Sequence, residues 1–509
     1  MTESPIRYDL VVIGGGINGA GIARDAAGRG LSVLLVEKGD LAGATSSASS
    51  KLIHGGLRYL EQYEWRLVHE ALEERETLLS IAGHLVWPAR FVMPHVPALR
   101  PRWMIRAGLF LYDHLARRAR LPGSAAVRLD SSPYGAGLKP EFRNGFVYSD
   151  CRVDDARLVI ANARDAAQRG AVILTRTRLV SGLRSEGEWL LSLRTAKENL
   201  EVRARVVMNV AGPWVKQVLN DCLGQPSTDS VRLVKGSHIV LPKRYPGEHA
   251  FILQNADRRV VFLIPYQDEY TLVGTTDIAI SGEPRAAEAG AEEVEYLCRA
   301  ANRYLVAQSA PGDVIWRFAG VRPLYDDGSN DPSAVTRDYT LRLDAPVDGA
   351  PVLSVFGGKL TTYRRLAEQA TNRIAPWFPG ARHAWTGSAC LPGSDFAGSR
   401  EDARRQLGAR FAWLPQPTLH ALFRRHGTLL GEVLGDARSP RDLGEEFGAG
   451  VTERELAYFV QHEWARSAED VLWRRTKAGL TLNEPAQARI AERVQSLVRT
   501  MNDTGPGSG

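Results

Sequence analysis

Cysteine is scarce in this chain of 509 residues, which has four, at positions 151, 222, 298 and 390. They are separated by 71, 76 and 92 residues, and no C-x-x-C pair occurs. Zinc clusters and dithiol redox sites use closely spaced cysteines, so neither is indicated and we expect no metal site. Free thiols in a reducing compartment are the expected state.

Long apolar runs are also missing, because no stretch approaches the ~18 apolar residues that a membrane-spanning helix needs. The first residues lack a basic segment followed by an apolar one, so we expect no secretory signal. Hydrophobic residues make up 44% of the chain and charged residues 24%, which excludes wholly disordered and collagen-like chains. A net charge of +6 allows an anionic lipid or substrate, and we expect no nucleic-acid partner.

A glycine-rich turn opens the first predicted domain. Residues 9–13 form a predicted buried strand, Gly14, Gly16 and Gly19 follow with G-x-G-x-x-G spacing, and 17–29 form a predicted helix. The first glycine permits a tight turn, the second lets backbone approach a pyrophosphate, and the third lets helix pack on strand. A chance glycine-rich turn is the alternative, but the order of strand, glycines and helix argues against it.

A second predicted strand, 32–36, ends in Glu37, 18 residues after Gly19. A carboxylate at this place can accept hydrogen bonds from a ribose 2′-hydroxyl, which argues against a 2′-phosphate there. The unit therefore predicts a bound dinucleotide. It does not distinguish NAD from FAD.

Three later segments favour FAD. Residues 45–60 are small, hydroxyl-rich and glycine-bearing, and can run close to a planar ring system; a flexible loop is the alternative. Residues 206–214 and 352–362 each contain an apolar strand that ends in glycine and opens a helix, where backbone N–H groups can meet a cofactor. Segments so far apart suit a long cofactor whose ring system lies far from its adenine.

On these motifs the sequence resembles the FAD-dependent respiratory sn-glycerol-3-phosphate dehydrogenase family. The resemblance implies hydride transfer from sn-glycerol 3-phosphate to non-covalent FAD, giving dihydroxyacetone phosphate, with electrons passed to a membrane quinone. The matching segments cover essentially the whole chain in order: 14–21, 45–60, 209–214, 235–239, 264–265, 274–277, 320–324, 336–339, 356–363, 462–464 and 472–477.

The resemblance also implies an α/β fold. A Rossmann-like, amino-acid-oxidase-like FAD-binding domain is expected with an antiparallel-sheet substrate or cap domain and a C-terminal helical domain. The alternating strand pattern at 259–264 favours the sheet, and 452–455 is typical of a capping box that starts a helix. The predicted ranges are 1–85, 151–235 and 346–385 for the FAD domain, 86–150 and 236–345 for the substrate domain, and 390–500 for the helical domain.

The expected cofactor-binding residues share a place in the glycine turn, at a strand end or in the hydroxyl-rich loop. They are Gly14, Gly16, Asn18, Gly19, Glu37, Thr45, Ser46, Ser50, Lys51, Leu52, His54, Gly55, Gly56, Ala211, Gly212, Trp214, Gly358, Lys359, Leu360 and Thr361.

Arg58, Tyr59, Arg322, Arg337 and Lys359 lie in matching segments, and the resemblance implies that they line the substrate pocket. Arginine suits a phosphate dianion because its guanidinium is permanently charged and can form two parallel hydrogen bonds. A solvated or salt-bridged surface role is the alternative for any one of these cations.

His238, which follows Lys235-Gly236-Ser237, is the expected catalytic base for the C2 hydroxyl. A neutral imidazole with a pKa near ~6.5 suits that role. A structural histidine is the alternative. Arg322 could share the proton handling as a second catalytic residue, and His54 is the competing histidine.

Residues 99–121 carry six arginines and one acid, a composition typical of a helix that lies on anionic lipid. A core-facing helix with a solvated basic face is the alternative. The resemblance implies a peripheral enzyme on the cytoplasmic face of the inner membrane, with some of it in the soluble fraction, and we expect a homodimer. The apolar residues of the segment are Trp103, Met104, Ile105, Leu109, Phe110, Leu111 and Tyr112.

Other functions stay open. A glycerol-3-phosphate oxidase would pass electrons to O2, but oxidases similar to this family tend to carry an extra insertion that is not obvious here. An amine or amino-acid oxidase of the same fold would use an arginine for a carboxylate, not this set of four cations. A non-enzymatic protein stabilised by FAD is the third alternative, and the intact cations and His238 argue against it.

Overall fold

The structure is a computed structural model that describes residues 5–227, 229–257, 259–284, 287–326 and 338–503. Within these residues the strands are β1 (Ile6–Ile13), β2 (Val33–Val36), β3 (Leu52–Ile53), β4 (Val86–Pro94), β5 (Ala125–Arg128), β6 (Asn144–Val153), β7 (Val172–Leu174), β8 (Arg178–Ser185), β9 (Glu188–Arg194), β10 (Asn199–Asn209), β11 (Val231–Pro242), β12 (Ala250–Gln254), β13 (Val260–Tyr266), β14 (Tyr270–Gly274), β15 (Ile278–Ile280), β16 (Trp316–Tyr325), β17 (Thr340–Asp344), β18 (Val352–Phe356), β19 (Glu446–Gly448) and β20 (Val451–Thr452). The helices are α1 (Ile17–Gly28), α2 (Trp65–Ile81), α3 (Arg102–His114), α4 (Asp155–Gln168), α5 (Val215–Gln217), α6 (Ala291–Asn302), α7 (Tyr363–Ile374), α8 (Arg400–Arg410), α9 (Gln416–His426), α10 (Leu430–Leu434), α11 (Glu453–His462) and α12 (Glu484–Asp503).

The first sheet is mostly parallel and carries the glycine turn. Its path is β17-β18-β10-β1-β2-β7, with the β8–β9 hairpin attached to β10. Side chains of β1 alternate, so that Leu10 and Val12 pack in one core with helices α1, α4 and α7, while Val11 and Ile13 pack in another with Trp189. Burial on both faces explains why this strand is a continuous apolar run.

The second sheet joins the two chain segments that the sequence assigns to the substrate domain. Its path is β15-β11-β14-β13-β12-β4-β6-β3, with β16 on β11 and β5 on β6. Most neighbours pair antiparallel, but β12 and β4 pair parallel, so the sheet is mixed at this one described pair. Helix α3 packs on this sheet through Ile105 and Leu109, which share a core with Phe91.

The C-terminal domain contains helices α8–α12 and the small β19–β20 sheet. It has its own apolar core, which includes Leu456, Phe459 and Ile490. The side chain of Thr452 accepts the N–H of Glu455 at 3.4 Å, so α11 begins where the sequence predicts a helix start.

Several strands depart from the predicted domain ranges, and β11 of the second sheet, Val231–Pro242, runs through the boundary predicted at 235. Leu52–Ile53 pairs with β6 in the second sheet, although the sequence places it in the FAD domain, and Asn144–Val153 runs through the boundary predicted at 150. Thr340–Asp344 pairs with β18 in the first sheet, although the sequence places it in the substrate domain. Edge strands join a sheet through partners far away in the chain, which local patterns do not reveal.

The predicted α/β fold with a helical C-terminal domain is confirmed. In the described part of the chain, no helix is both long and apolar enough to span a bilayer.

Candidate active site

A cavity of about 1130 Å³ is lined by residues of both large sheets. We call the part lined by Gly14 and Glu37 the nucleotide end, and the part lined by Arg58, His238 and Arg322 the substrate end. One extended ligand in this cavity would contact both domains.

The glycine turn exposes its backbone because its glycines lack side chains. Gly14 has φ +117°, and a Cβ there would lie 2.5 Å from the carbonyl oxygen of Val210. A Cβ on Gly19 would lie 1.9 Å from the carbonyl oxygen of Gly14, so Gly19 acts through packing and does not itself line the cavity. Gly16 does line it, at the N-terminus of α1, where backbone N–H groups favour a phosphate.

Glu37 ends β2 and supports this turn. Its carboxylate accepts the N–H of Gly15 and the N–H of Gly39, each at 2.7 Å. Burial raises the pKa of Glu37, and these two donors oppose the rise. The carboxylate lies at the cavity wall, so the predicted contact with a ribose hydroxyl is compatible with its position.

The hydroxyl-rich loop joins the two sheets. Thr45 donates its hydroxyl to the carbonyl of Val321 at 2.7 Å, and the Ser50 hydroxyl lies 2.9 Å from Nε2 of His238. These bonds fix the loop along the cavity, between the glycine turn and the substrate end.

Lys51 behaves differently from its neighbours in this loop. Its ammonium donates to both carboxylate oxygens of Asp155, at 2.8 and 2.9 Å, and to the carbonyl of Ser47 at 2.8 Å. A buried lysine needs such partners, so the side chain turns away from the cavity, contrary to the prediction. Gly55 also lies outside the lining, where its N–H donates to the Tyr112 hydroxyl at 2.8 Å.

Asn18 and the glycines after β18 give a test of whether the site fits FAD. Asn18 donates to the carbonyl of Gly357 at 3.3 Å, and a Cβ on Gly358 would lie 2.5 Å from its amide nitrogen. The Oδ1 atom of Asn18 is buried, and no group in the described residues hydrogen-bonds to it. Bare backbone and an unsatisfied acceptor at the cavity wall fit a long cofactor with hydroxyl and N–H donors.

The cavity lining contains most of the predicted cofactor-binding residues. Trp214 lies on the same wall as Lys38, whose ammonium is 3.5 Å from the indole centroid, and its Nε1 donates to Glu283 at 2.6 Å. The predicted residues that line the cavity are Gly14, Gly16, Asn18, Glu37, Thr45, Ser46, Ser50, Leu52, His54, Gly56, Ala211, Gly212, Trp214, Gly358, Lys359, Leu360 and Thr361.

The substrate end brings together three of the four predicted cations. Arg322 is ion-paired with Asp277 and donates to the Thr275 hydroxyl at 3.2 Å. The ammonium of Lys359 lies 4.3 Å from the ring centroid of Tyr59, and the neighbouring Arg58 is exposed. The sequence predicts Arg58, Tyr59, Arg322 and Lys359 in this pocket. It does not predict that Asp277 and Thr275 hold Arg322. Arg337 lies outside the described residues.

His238 is buried at this end and stacks on Phe318, with ring centroids 4.9 Å apart. Burial, together with the charges of Arg322 and Lys51, lowers the pKa of His238 to about 3. The imidazole is therefore neutral at pH 7, and among the described residues no group hydrogen-bonds to its Nδ1. Burial also lowers the pKa of His54, the competing histidine.

The sequence missed the charged residues at the nucleotide end. Asp40 and Arg176 line it, together with Asp470 and Arg474 from the C-terminal domain. The only sign in the sequence was the family-like run 472–477, to which no role could be assigned.

Comparison with known proteins places this geometry among flavoenzymes. The family model described as FAD dependent oxidoreductase matches residues 9–364, and the one described as C-terminal domain of alpha-glycerophosphate oxidase matches residues 384–502. The glycerol-3-phosphate dehydrogenase of Pseudomonas aeruginosa is 54% identical over 490 residues, which cover 96% of this chain and 95% of that protein.

Two further matches bear on substrate and cofactor. The D-erythritol 1-phosphate dehydrogenase of Brucella abortus is 50% identical over 491 residues, covering 96% of this chain and 98% of that protein. The solved structure of the glycerol-3-phosphate dehydrogenase from Bacillus halodurans, complexed with FAD, has a TM-score of 0.74 and 25% identity, covering 98% of this chain and 95% of that one.

Proposed function

Since the chain belongs to the FAD-dependent oxidoreductases, we propose that it oxidises sn-glycerol 3-phosphate to dihydroxyacetone phosphate by hydride transfer to FAD. FAD is the cofactor of this family, and the glycine turn and Asn18 fit it. The observation that carries the proposal is the meeting of Arg58, Arg322, Lys359 and His238 at one end of the cavity.

The cations suit the phosphate of the substrate. Charge-assisted hydrogen bonds from guanidinium and ammonium groups bind a dianion more strongly than neutral donors do. Arg322 is held by Asp277 and Thr275, so its guanidinium is already oriented before substrate binds. We assign Arg58, Tyr59, Arg322 and Lys359 to substrate binding.

His238 is proposed to accept the C2 hydroxyl proton. Bound FAD supplies the hydride acceptor, and the protein must orient the C2 hydroxyl and receive its proton. The neutral imidazole has one nitrogen without a proton at pH 7, and the Ser50 hydroxyl lies within hydrogen-bond distance of Nε2, which orients the ring. A bound dianion would raise the pKa of this buried imidazole and make it a stronger base.

Longer polyol phosphates are the second candidate substrates, because a relative of almost equal identity is named a D-erythritol 1-phosphate dehydrogenase. The same cations would hold the phosphate of either substrate. Carboxylate substrates of amino-acid oxidases fit less well, because one carboxylate would leave the remaining positive charge uncompensated.

The test is an anaerobic titration of the FAD-loaded protein, followed by the absorbance of oxidised flavin. We expect sn-glycerol 3-phosphate to bleach the flavin, and glycerol without its phosphate to fail at the same concentration. Faster bleaching by D-erythritol 1-phosphate would reassign the substrate, and no bleaching by any polyol phosphate would contradict the proposal.

A membrane quinone is the proposed electron acceptor, and α3 supplies the support. Trp103 is 70% exposed and Phe110 56% exposed on its outer face. Arg102 and Arg106 on the same helix are exposed and suit anionic lipid headgroups. This surface supports a peripheral membrane enzyme. Its place on the cytoplasmic face of the cell membrane and its homodimer stay predictions.

The cavity itself reaches this surface. Met104, Gly108 and Leu111 of α3 line it, so an apolar molecule could approach the substrate end from the lipid side. After anaerobic reduction, we expect a ubiquinone analogue to reoxidise the flavin much faster than air does. Fast reoxidation by air with release of peroxide would instead establish an oxidase.

Vesicle sedimentation tests the membrane surface. The double change Trp103→Ser and Phe110→Ser should weaken binding to anionic vesicles by about ten-fold or more, because it removes exposed apolar area. Leu183, 68% exposed on β8, gives the control Leu183→Ser, which should bind as the unchanged protein does. An equal loss of vesicle binding in both variants would contradict the assignment of α3 as the membrane-binding helix.

A further inference from the structure

The C-terminal domain reaches the nucleotide end through two arginines. Arg474 donates to Asp40 at 2.6 Å, and Arg475 donates to the two oxygens of the same carboxylate at 2.6 and 2.8 Å. All three side chains are buried. Asp40 lies three residues after Glu37, in the loop that follows β2.

A second contact joins the neighbouring loop. Asp470 accepts Arg474 at 2.7 Å and Arg176, which follows β7, at 2.6 Å. Burial alone would raise the pKa of Asp470, but Arg176 and the other donors hold it at about 2, so the carboxylate is charged at pH 7. The N–H of Arg176 also donates to the carbonyl of Gly39 at 2.8 Å, which connects the two loops to each other.

These residues form one network at the cavity wall, because Asp40, Arg176, Asp470 and Arg474 all line the cavity. We name Asp40, Arg176, Asp470, Arg474 and Arg475 the arginine–aspartate network. Four residues of the C-terminal domain line the cavity beside it: Ser467, Glu469, Asp470 and Arg474.

We propose that the arginine–aspartate network holds the adenosine half of FAD in place, so that the C-terminal domain determines how long the enzyme retains its cofactor. The two loops that it joins are those beside the glycine turn and Glu37. For FAD to leave, these loops must separate, and their separation breaks ion pairs that the C-terminal domain completes. The family model for FAD-dependent oxidoreductases ends at residue 364, so this contribution comes from a part of the chain outside it.

The contrast with other contacts between the same two domains makes the proposal testable. Arg164 of α4 pairs with Glu432 of α10 at 2.9 Å, and neither residue lines the cavity. If the network acted only by joining the domains, loss of either contact would affect FAD equally. If the network acts on the cofactor, only loss of the network will speed the release of FAD.

The experiment compares Arg176→Gln with Glu432→Gln. Arg176 is 36% exposed, so its substitution should leave the chain folded, and Arg176→Lys keeps the charge as a conservative variant. FAD-loaded protein is mixed with an excess of an unrelated apo-flavoprotein that traps released FAD, and release is followed by flavin fluorescence. Circular dichroism and the apo-protein's unfolding midpoint are measured alongside.

We expect Arg176→Gln to release FAD about ten-fold faster than the unchanged protein, with Arg176→Lys restoring most of the retention and Glu432→Gln within about two-fold. Release of FAD is measured without substrate, so this test is independent of the substrate assignment. Equal release from Arg176→Gln and Glu432→Gln, or no change in either, would overturn the proposal.

Discussion

Arginine lines both ends of the cavity, but its charge is neutralised differently at each. At the nucleotide end, Asp40 and Asp470 pair with Arg176, Arg474 and Arg475 in a closed network. At the substrate end, Arg58 is exposed, Lys359 lies over an aromatic ring, and Arg322 is paired with Asp277 but belongs to no network of alternating arginines and aspartates. Other carboxylates of the cavity wall there are paired with arginines outside this group of cations. Two such carboxylates are Asp150, paired with Arg75, and Asp338, paired with Arg66.

This difference separates structural arginines from ligand-binding ones. Where carboxylates surround a guanidinium, the ion pairs hold parts of the fold together. Removing one partner then leaves a buried charge uncompensated. Where cations meet with few carboxylates, their repulsion is relieved by an anionic ligand, which is the arrangement expected for a phosphate.

Arg322→Met should have the largest effect and should act on substrate alone. We expect kcat/KM to fall about 10³-fold, or about 4 kcal/mol, because a partly buried charge-assisted contact to the phosphate is lost. The flavin content per protein, read from the absorbance spectrum, should not change. Arg317→Met, at an exposed position on the same strand, is the matched control and should keep full activity. Loss of flavin together with activity would contradict the separation of the two ends.

Asp40→Asn should act on stability and FAD retention instead. It leaves Arg474 and Arg475 facing an uncharged side chain, so we expect the free energy of unfolding to fall by about 3 kcal/mol. Urea unfolding of the FAD-loaded protein measures this. Asp436→Asn removes the ion pair of an exposed carboxylate with Arg454 and should leave the unfolding midpoint nearly unchanged. A higher KM in Asp40→Asn without loss of stability would count against the account.

His238→Gln tests the proposed base and its pH dependence. We expect kcat to fall about 10²-fold, the usual contribution of a general base. Because the pKa of His238 is lowered to about 3, kcat/KM of the unchanged enzyme should show no ionisation of this group above about pH 5. The substrate phosphate ionises near pH ~6 in both proteins and serves as an internal reference. An acidic limb present only in the unchanged enzyme's kcat/KM would show that the imidazole is not held neutral.

Lys477→Met should have the smallest effect, on the pH dependence of stability. Burial and the nearby Lys51 lower the pKa of Lys477 to about 8 from 10.5, so between these values the unfolded chain binds more protons and stability rises with pH. Between about pH 8 and about pH 9.5 the unchanged protein should gain about 1–2 kcal/mol relative to the variant. Urea unfolding at several pH values measures the free energy of unfolding of both proteins. A difference between them that does not change with pH would contradict the lowered pKa of Lys477.

Local sequence was enough to predict the glycine turn and much of the cavity lining. The positive φ of Gly14 and the close contact of Gly19 with the Gly14 carbonyl are both set within a few residues of chain, although Gly14 also lies against the distant Val210. Arg322 and His238 could be assigned because they lie in motifs that resemble a family.

Other features depend on partners far away in the chain, and the sequence did not reveal them. Arg475 and Asp40 are 435 residues apart, and no pattern near either one indicates the pair. Lys51 was placed with its neighbours at the cofactor, but its partner Asp155 is 104 residues away and turns its side chain away from the cavity. The composition of residues 99–121 also left open which face of α3 would be exposed, because apolar residues occur on both.

The most direct test of the account is anaerobic stopped-flow reduction of the flavin by sn-glycerol 3-phosphate, measured in Arg322→Met and Arg176→Gln with FAD in excess. The account predicts slow reduction in Arg322→Met with normal FAD release, and normal reduction in Arg176→Gln with faster FAD release. If both variants lose both properties together, the two ends of the cavity do not act separately, and the central claim is wrong.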